Sequence, residues 1–577
     1  MRRFTADFET NVNEKDCRVW AWAVCEIGNT DNFIYGNDIQ TFIEWCSNKK
    51  YNFRLYFHNL KFDGEYIFNY LLKNGYKYIK DKKDRKDKTF TCLISSMGQF
   101  YSIEIYFTVK KTKVNKITIY DSLKILNMSV DTIAKQFDLP ISKLEIDYKE
   151  FREIGHELTE QEINYIRNDV EIMSRALSIM FDLGLTKMTI GSCALKNYKD
   201  MVKNFNDYYP NLPVELDQDI RKSYKGGFTY LNPIYKEKDV EKGIVLDVNS
   251  LYPSVMKNAY LPFGKPIYFS GKYEYNYLYP LYIQRIACRF ELKEGKIPTI
   301  QLKNNPSYNP TEYLVSSNGD IVDLTLTNID LKLFFENYDV KDLYYDGGWE
   351  FKQTRGLFDN YINIWSNNKI EAKKNGNKAL YMISKLMLNS LYGKFSKNPY
   401  NRGKYPYIGE DGKVSYHLGE LEEGKGLYIP IGSFITSYAR EKTIRTSQKI
   451  REYTLNKYGK DYYIYSDTDS IHMLELPEEE LKTFVDIDDF ILGYWKLESK
   501  FRRGKFLRQK CYIEEDYNNG LNVTIAGLPK RLGKYVNFDN FKIGFSLLAS
   551  DDTIDHKLTY KHVEGGVMLV ETDFTIK

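Results

Sequence analysis

A chain of 577 residues and 68.0 kDa is longer than one hydrophobic core usually serves, so two to four domains are expected. Lys plus Arg (82) nearly balance Asp plus Glu (78), so whole-chain charge does not announce a polyanion partner, and seven scattered cysteines without a CxxC pair argue against zinc and a disulfide framework. The start Met1-Arg2-Arg3 opens no apolar run and nothing approaches the roughly 20 apolar residues that cross a bilayer, so a membrane role is excluded and a cytoplasmic protein is expected.

The chain begins with Phe4-Thr5-Ala6-Asp7-Phe8-Glu9-Thr10, a short strand whose period-two alternation puts Asp7 and Glu9 on one face. A strand over Arg54–Phe57 then runs into His58-Asn59-Leu60-Lys61-Phe62-Asp63 and a helical stretch, adding a third carboxylate. Further on, Tyr165 and Asp169 stand four apart, on one face of a helix. Each block alone also fits an ordinary strand or helix surface. Together, four carboxylates and a tyrosine can hold two divalent cations for phosphodiester hydrolysis.

The stretch Thr186–Asn197 shows no strong periodicity and reads as a connection to the next domain. In Tyr224-Lys225-Gly226-Gly227-Phe228, paired glycines allow close approach of a nucleic-acid strand, or make a plain turn. The apolar strand Gly243-Ile244-Val245-Leu246 ends on Asp247, followed by Val248-Asn249-Ser250-Leu251-Tyr252-Pro253-Ser254. From about Pro262 to Asp346 the pattern predicts short Tyr-rich strands and polar turns, such as Asn304-Asn305-Pro306, with no catalytic constellation.

Helices are predicted over Leu357–Lys374 and Lys378–Tyr392, joined at Asn375-Gly376-Asn377, with Lys373 near the tip. Lys378, Lys385, Asn389 and Tyr392 fall along one face of the second helix, a set suited to a triphosphate and its base pair, or to a solvated stripe. Residues 351–410 hold eleven Lys and Arg against three Asp and Glu. Polar hairpins follow over Lys397–Gly432, then a long helix over Gly432–Asn456. The runs Tyr462–Tyr465 and Ile471–Leu476 predict a hairpin whose tip, Ser466-Asp467-Thr468-Asp469-Ser470, presents two acids on one face; Asx turns would suit it as well as a metal. The third acid, Asp247, tilts the reading towards Mg²⁺ or Mn²⁺. Phe501–Ile513 carries Arg502, Arg503, Lys505, Arg508 and Lys510 without an acid, and Pro529–Lys577 reads as a small strand-rich end.

Tyr465-Ser466-Asp467-Thr468-Asp469-Ser470, Asp247 through Ser254, and Lys385 through Gly393 resemble motifs C, A and B of family B DNA polymerases. The blocks at Asp7/Glu9, Asn59/Asp63 and Tyr165/Asp169 resemble the three motifs of DnaQ-like 3′–5′ exonucleases, in the same order. The resemblance covers nearly the whole chain and is closest to the protein-primed polymerases of small phages. It implies an α/β and α+β multidomain protein: an RNase H-like exonuclease domain followed by a right-hand (palm, fingers, thumb) polymerase domain with two insertions. The expected division is an exonuclease over 1–188, palm over 189–261 and 431–528, a first terminal-protein-region insertion over 262–356, fingers over 357–395, a second insertion over 396–430 and a thumb over 529–577.

The resemblance also implies roles. Asp247 and Asp469, with the carbonyl of Val248, would bridge two Mg²⁺ (or Mn²⁺) ions for synthesis, Asp467 supporting them; Asp7, Glu9, Asp63 and Asp169 would hold two more for hydrolysis. Tyr165 would orient the attacking water and Lys143 offset charge on the scissile phosphate. Tyr252, Lys373, Lys385, Asn389 and Tyr392 would bind the incoming dNTP, with Tyr252 excluding a 2′-hydroxyl. His58, Asn59, Phe62, Ser122 and Leu123 would hold the single-stranded primer end. Tyr224, Gly226 and Gly227 would contact template, and Lys510 and Tyr512 the primer terminus. Primer-template and single-stranded DNA, dNTPs and a priming terminal protein are the implied partners of a monomeric, strand-displacing, processive enzyme in a host cytoplasm. A conventional primer-extending polymerase, a nuclease with a nucleic-acid-binding module and a structural replisome protein are the rival readings. The two insertions argue against the first; the intact carboxylates disfavour the others.

Overall fold

The strand Val19–Glu26 is buried along almost its whole length because both of its faces are covered. Ala21, Ala23 and Cys25 meet Tyr165, Ile166 and Val170 of helix Glu160–Asp182, whereas Trp22 and Val24 pack with Phe8, Phe42 and Phe57 on the other side. This strand belongs to a mixed eight-stranded sheet in the computed structural model, which describes residues 1–48, 52–111, 113–148, 150–303 and 305–577. Arg3–Thr10 lies inside the sheet, antiparallel to Val19–Glu26 and parallel to Phe53–Phe57. Helix Glu160–Asp182 is started by a capping box, in which Thr159 and Glu162 satisfy each other's backbone amides. Helix Leu60–Lys73 covers the opposite face through Ile67, Phe68 and Leu71.

The second sheet has seven strands in the order Leu521–Ile525, Cys511–Glu515, Trp495–Arg508, Asp239–Val248, Ser470–Leu474, Tyr463–Asp467 and Thr229–Leu231. The 30-residue helix Ile429–Tyr458 packs in the same core through Phe434, Ile435, Ala439 and Ile444, and ends on Gly459 at φ +66°, a backbone state that glycine takes without strain. Two antiparallel helices, Asp359–Lys374 and Lys378–Ser390, form a hairpin close to the predicted one. Its second helix stops at Ser390, so Tyr392 opens a separate short turn of helix. In the long hairpin, Lys378 pairs with Asp138 of the N-terminal region at 2.8 Å, which takes it out of the expected stripe.

Two segments differ from expectation. Thr186–Asn197, read as aperiodic, contains most of helix Ile190–Met201: Thr189 accepts the Ser192 amide at 3.1 Å, and the buried face is only Cys193, Ala194 and Tyr198, too short to register as a period. The 262–346 region is built of long strands, among them Leu281–Leu292 and Tyr338–Thr354, and includes helix Asn328–Asn337. Gly347 and Gly348 carry the longer strand across a bulge, where a Cβ on Gly348 would stand 1.9 Å from the Ile283 carbonyl. The turn expected at Asn304-Asn305-Pro306 includes Asn304, which lies outside the described residues.

The C-terminal hairpin, Lys557–Val563 with Gly566–Thr572, returns to the N-terminal domain. Val563 and Val567 join the core under helix Leu60–Lys73, the Tyr66 hydroxyl meets the Val567 carbonyl, and Lys73 pairs with Glu564 at 2.7 Å. A Cβ on Gly566 would lie 2.4 Å from the Tyr66 ring, so only glycine fits this seat. The hairpin Lys404–Ile408 with Val414–Leu418 docks beside it through Val414 and Ile408. Contacts therefore run in a closed circuit from the N-terminal domain through the central sheet to the C-terminal end and back.

Within the central domain, Arg440 and Asp330 form a buried ion pair between the long helix and helix Asn328–Asn337, and Arg440 also donates to the carbonyls of Lys225 and Gly226, each at 2.8 Å. Arg440→Met would strand a buried carboxylate, a change worth about 3–5 kcal/mol. Thermal melting should show a clear loss that Asp330→Leu in the same chain largely recovers; a melting temperature equal to wild type in the single variant would remove the pair from the fold's support.

Candidate active sites

Strand register sets the central carboxylates. Asp247 pairs with Ser470, and the Val248 amide donates to the Asp469 carbonyl at 2.8 Å, so the end of one strand meets the tip of the neighbouring hairpin. The tip is tight: Thr468 has φ +62°, and the Asp469 amide donates to the Asp467 carbonyl at 2.7 Å. Its outer side is held by the Tyr224–Phe228 loop, with the Thr468 amide donating to the Phe228 carbonyl at 2.7 Å. A Cβ on Gly227 would stand 2.5 Å from Thr468 Oγ1, whereas one on Gly226 would meet open space. Gly227 is thus required by the carboxylate turn itself, a reason different from the approach to nucleic acid inferred from sequence.

The three acids have different surroundings. Asp467 is engaged by Lys510 Nζ at 3.0 and 3.1 Å and by Thr229 Oγ1 at 3.2 Å. Asp247 is pushed up to about 6 by burial and then by Glu498 and Asp469, with Lys496 at 3.5 Å opposing the shift. Burial also raises Asp469, helped by Asp467 and Glu498. Two carboxylates held in a partly desolvated place against mutual repulsion, with hard oxygens free, fit a divalent cation.

These acids open onto a cavity of about 930 Å³ lined by Tyr252, Lys373, Lys385, Asn389 and Tyr392. The rings of Tyr252 and Tyr392 stack at 4.1 Å. Lys369 also lines it, its pKa lowered by burial and then by Lys385, Lys496 and Lys373. A second cleft, of about 690 Å³, shares Asp247, Asp469 and Glu498 and adds Asp467, Lys510 and Tyr512. Most of the basic run at 501–513 is committed elsewhere: Arg502 pairs with Glu515, Arg503 with Asp239, and Arg508 donates to the Lys577 carbonyl. Tyr224 lines a separate basic cavity with Lys225, Arg285 and Lys303.

Sequence reasoning missed Glu498, Lys496 and Lys369. Asp247 pairs with Lys496, so a strand neighbour with an acid two positions on was the available signal, readable only once the pairing partner is known. Lys369 lies one turn before Lys373 on the predicted helix, which a wider search of that face would have found.

In the N-terminal domain, Asp7, Glu9 and Asp169 each bring a carboxylate oxygen within 4.8 Å of the others, a group among the described residues able to hold a metal ion. Burial, then Asp169, pushes Asp7 up to about 7; burial, then Asp7 and Asp169, raises Glu9 well above the usual range. Asp63, outside the tight group, is buried and raised chiefly by burial and then by Asp7. Asp169 Oδ1 is buried without a protein partner, as a metal-facing oxygen would be, while Oδ2 accepts from Lys143 Nζ at 2.6 Å. Burial alone would lower the Lys143 ammonium, and Asp169 reverses this so that it is raised. The Tyr165 hydroxyl meets that of Tyr148, a residue the sequence did not single out.

Around this group, Phe62 and Asn59 are partly open. Ser122 is fully buried, its hydroxyl donating to the Phe57 carbonyl at 2.9 Å, and His58 spends both ring nitrogens on Ser122 and the Met128 carbonyl. These two brace the site from inside, where a direct contact with a bound strand was expected. Leu123 follows Asp121, which accepts the amides of Asn59 and Leu123, each at 3.1 Å, and so ties the two segments together.

A profile of type B DNA polymerases, organellar and viral, matches residues 45–486. The DNA polymerase of Bacillus phage M2 is 44% identical over 597 aligned residues, covering 100% of both chains, and that of Bacillus phage phi29 is 42% identical, covering 100% of this chain and 99% of its own. The DNA polymerase of Streptococcus phage Cp-1 is 31% identical over 100% of this chain and 98% of its own. Among solved structures, phi29 DNA polymerase in a ternary complex with primer-template DNA and incoming nucleotide superposes with a TM-score of 0.91 at 42% identity, covering 100% of both chains. The same polymerase with single-stranded DNA gives 0.90 at 41%, again over 100% of both.

A carboxylate whose pKa is raised on folding binds its proton more tightly in the native state. That contribution is complete below the unfolded value of 3.8 and is lost as pH climbs through about 7 for Asp7. With divalent ions chelated, the melting temperature should therefore fall between about pH 5 and about pH 8. Calorimetry should find a flatter profile for Asp7→Asn with Glu9→Gln; equal slopes would mean that folding does not raise the pKa of these two acids.

Proposed function

Since this chain belongs to the organellar and viral type B DNA polymerases and synthesises DNA on a DNA template, as its phage relatives do, we propose that it is a protein-primed, processive, strand-displacing replicase with 3′–5′ proofreading. The observation that carries the synthetic half is one cavity holding Asp247 and Asp469 beside Lys373, Lys385, Asn389, Tyr252 and Tyr392. The relatives' complexes with primer-template DNA and nucleotide support the same ligands here.

Asp247, Asp469 and the Val248 carbonyl are the candidate ligands for divalent cations, Mg²⁺ by preference, in the central site, and Asp7, Glu9, Asp63 and Asp169 in the N-terminal one. Bound there, such ions supply Lewis acidity, lowering the pKa of a primer hydroxyl or water and neutralising phosphate charge. The protein's part is positioning. Lys369, Lys373 and Lys385 supply the positive wall for a triphosphate, Lys385 and Lys373 by direct contact. Tyr392 and Asn389 bear on the nascent base pair, and Tyr252, stacked on Tyr392, takes the space a 2′-hydroxyl would need. Lys510, tied to Asp467, and Tyr512 face the primer terminus from the second cleft. Gly226, Gly227 and Tyr224 set the template side. In the N-terminal site, Tyr165 with Tyr148 orients the attacking water, and Lys143 stands where charge gathers on the scissile phosphate. Asn59, Phe62 and Leu123 receive the frayed primer end, braced by His58 and Ser122.

The domain boundaries we assign are those of the sequence reading: exonuclease 1–188, palm 189–261 and 431–528, insertions 262–356 and 396–430, fingers 357–395 and thumb 529–577. Two insertions flanking the fingers support a terminal-protein primer. The closed circuit of contacts supports a monomer that keeps hold of its product and parts the duplex ahead.

The test is extension of a labelled primer on a singly primed circle with Mg²⁺ and dNTPs, without helicase or clamp. Products far longer than one circle are expected; products that stop at one circle would make this a conventional primer-extending enzyme. Asp469→Ala should lose extension by at least about a thousandfold while trimming of a single-stranded primer persists, and Asp7→Ala with Glu9→Ala should reverse that pattern. Extension retained without Asp469, or trimming retained without Asp7 and Glu9, would sink the matching assignment. Tyr252→Val should admit ribonucleotides in single-nucleotide incorporation, and an unchanged sugar preference would leave Tyr252 as packing only.

A further inference from the structure

Tyr560 stands in the strand Lys557–Val563, 501 residues along the chain from Asn59, yet its hydroxyl accepts the Asn59 amide nitrogen at 3.0 Å. Its ring centroid lies 6.3 Å from that of Phe62 at an interplanar angle of 43°, and the Lys61 ammonium sits 4.9 Å over its face. Tyr560 remains 37% exposed. Asp63 and Asp121 are near enough for their charges to raise its phenol, after burial, the largest cause. A residue of the C-terminal hairpin therefore borders the carboxylate site of the N-terminal domain.

We propose that Tyr560 is a substrate-binding residue of the exonuclease: it extends the aromatic surface of Phe62, so that the last bases of a single-stranded DNA 3′ end lie against both rings while Lys61 meets the backbone. This rests on the proofreading reading of the N-terminal site. Single-strand binding sites combine aromatic faces, which accept any base, with cations for phosphate, and the trio Phe62, Tyr560 and Lys61 is such a set. The hydroxyl bond to Asn59 fixes the ring at its edge, and Lys61 over the ring stands where a phosphate of the same strand would pass.

Packing alone does not account for Tyr560. The hairpin is already seated by Val563 and Val567 in the shared core, by Gly565 and Gly566 against Cys17 and Tyr66, and by the pairs Lys73–Glu564 and Lys561–Glu14, each at 2.7 Å. Tyr560 lies back from the hairpin tip and keeps over a third of its surface open. One consequence is that the primer-holding surface is complete only while the C-terminal hairpin is docked.

The experiment is steady-state hydrolysis of a labelled single-stranded oligonucleotide with Mg²⁺, comparing wild type, Tyr560→Ala, Tyr560→Phe and, as a docking control, Glu564→Gln. Tyr560→Ala should raise KM about tenfold, in the range expected for one lost stacking contact, with kcat unchanged. Tyr560→Phe should keep most of the affinity, Glu564→Gln should match wild type, and extension of a paired primer should be normal in all. An unchanged KM in Tyr560→Ala, or an equal rise in Glu564→Gln, would overturn the proposal by reducing Tyr560 to a docking contact. If wild type trims no faster than Asp7→Ala with Glu9→Ala, the proofreading reading falls, and this proposal with it; trimming by wild type alone keeps the two outcomes apart.

Discussion

Carboxylates brought within a few ångströms of one another repel, and two sites in this molecule are built to hold them together against that repulsion. The means differ. In the N-terminal domain Asp7 and Glu9 sit on one strand and Asp169 on the helix packed over it, so the cluster is set by sheet–helix packing. In the central domain two strand ends do the work: the pairing of Asp247 with Ser470 fixes one acid against a turn that fixes the other. Each site also carries a lysine on one acid, Lys143 on Asp169 and Lys510 on Asp467, so part of the repulsion is relieved while other oxygens stay available. The precision of both folds is spent on this one electrostatic arrangement.

Positive charge is partitioned just as sharply. Arg440 is tied to a buried acid and serves as an internal strut, whereas Arg502 and Arg503 pair with Glu515 and Asp239 at the surface. Lys369, Lys373 and Lys385 line an open cavity; burial and then the neighbouring lysines lower Lys369, and an anion such as a triphosphate would relieve the second of these. A basic stretch in sequence is therefore a poor guide to a binding groove unless its acids have been found. Of the run at 501–513, Lys510 and Tyr512 are the members that face a cleft with the carboxylates.

What could be read from the sequence was what chain proximity encodes. Asp7 with Glu9, Asp467 with Asp469, and Lys385 with Asn389 and Tyr392 are sets spaced by strand or helix period, and the structure puts each set on one site. The long helix and the helical hairpin were visible for the same reason. Residues that depend on a distant pairing were not: Glu498 beside Asp247 needs the strand register, Tyr148 needs the fold of the loop before helix Glu160–Asp182, and Tyr560 comes from the far end of the chain. The contact that Gly227 makes with the carboxylate turn was also out of reach, because its neighbour, Thr468, is 241 positions away in sequence. His58 and Ser122 were placed in the right neighbourhood but on its inner side, since sequence gives proximity to a site without telling which way a side chain points.

The seat of the C-terminal hairpin also bears on how the molecule comes into being. Tyr66 and Val567, which meet there, are 501 residues apart. A chain leaving the ribosome at about 5–20 residues per second completes its first sheet, whose last strand is Lys113–Asp121, roughly 20 to 90 seconds before Val567 exists. Through that interval the face around Cys17 and Tyr66 lacks its closing hairpin, even once Lys404–Ile408 and Val414–Leu418 have docked beside it, and an aromatic patch waiting on a nascent chain is an invitation to chaperones or to the wrong neighbour. The last thing made is what shields the first, so a chain cut short by even its final twenty residues would carry an otherwise formed N-terminal domain with an exposed seat.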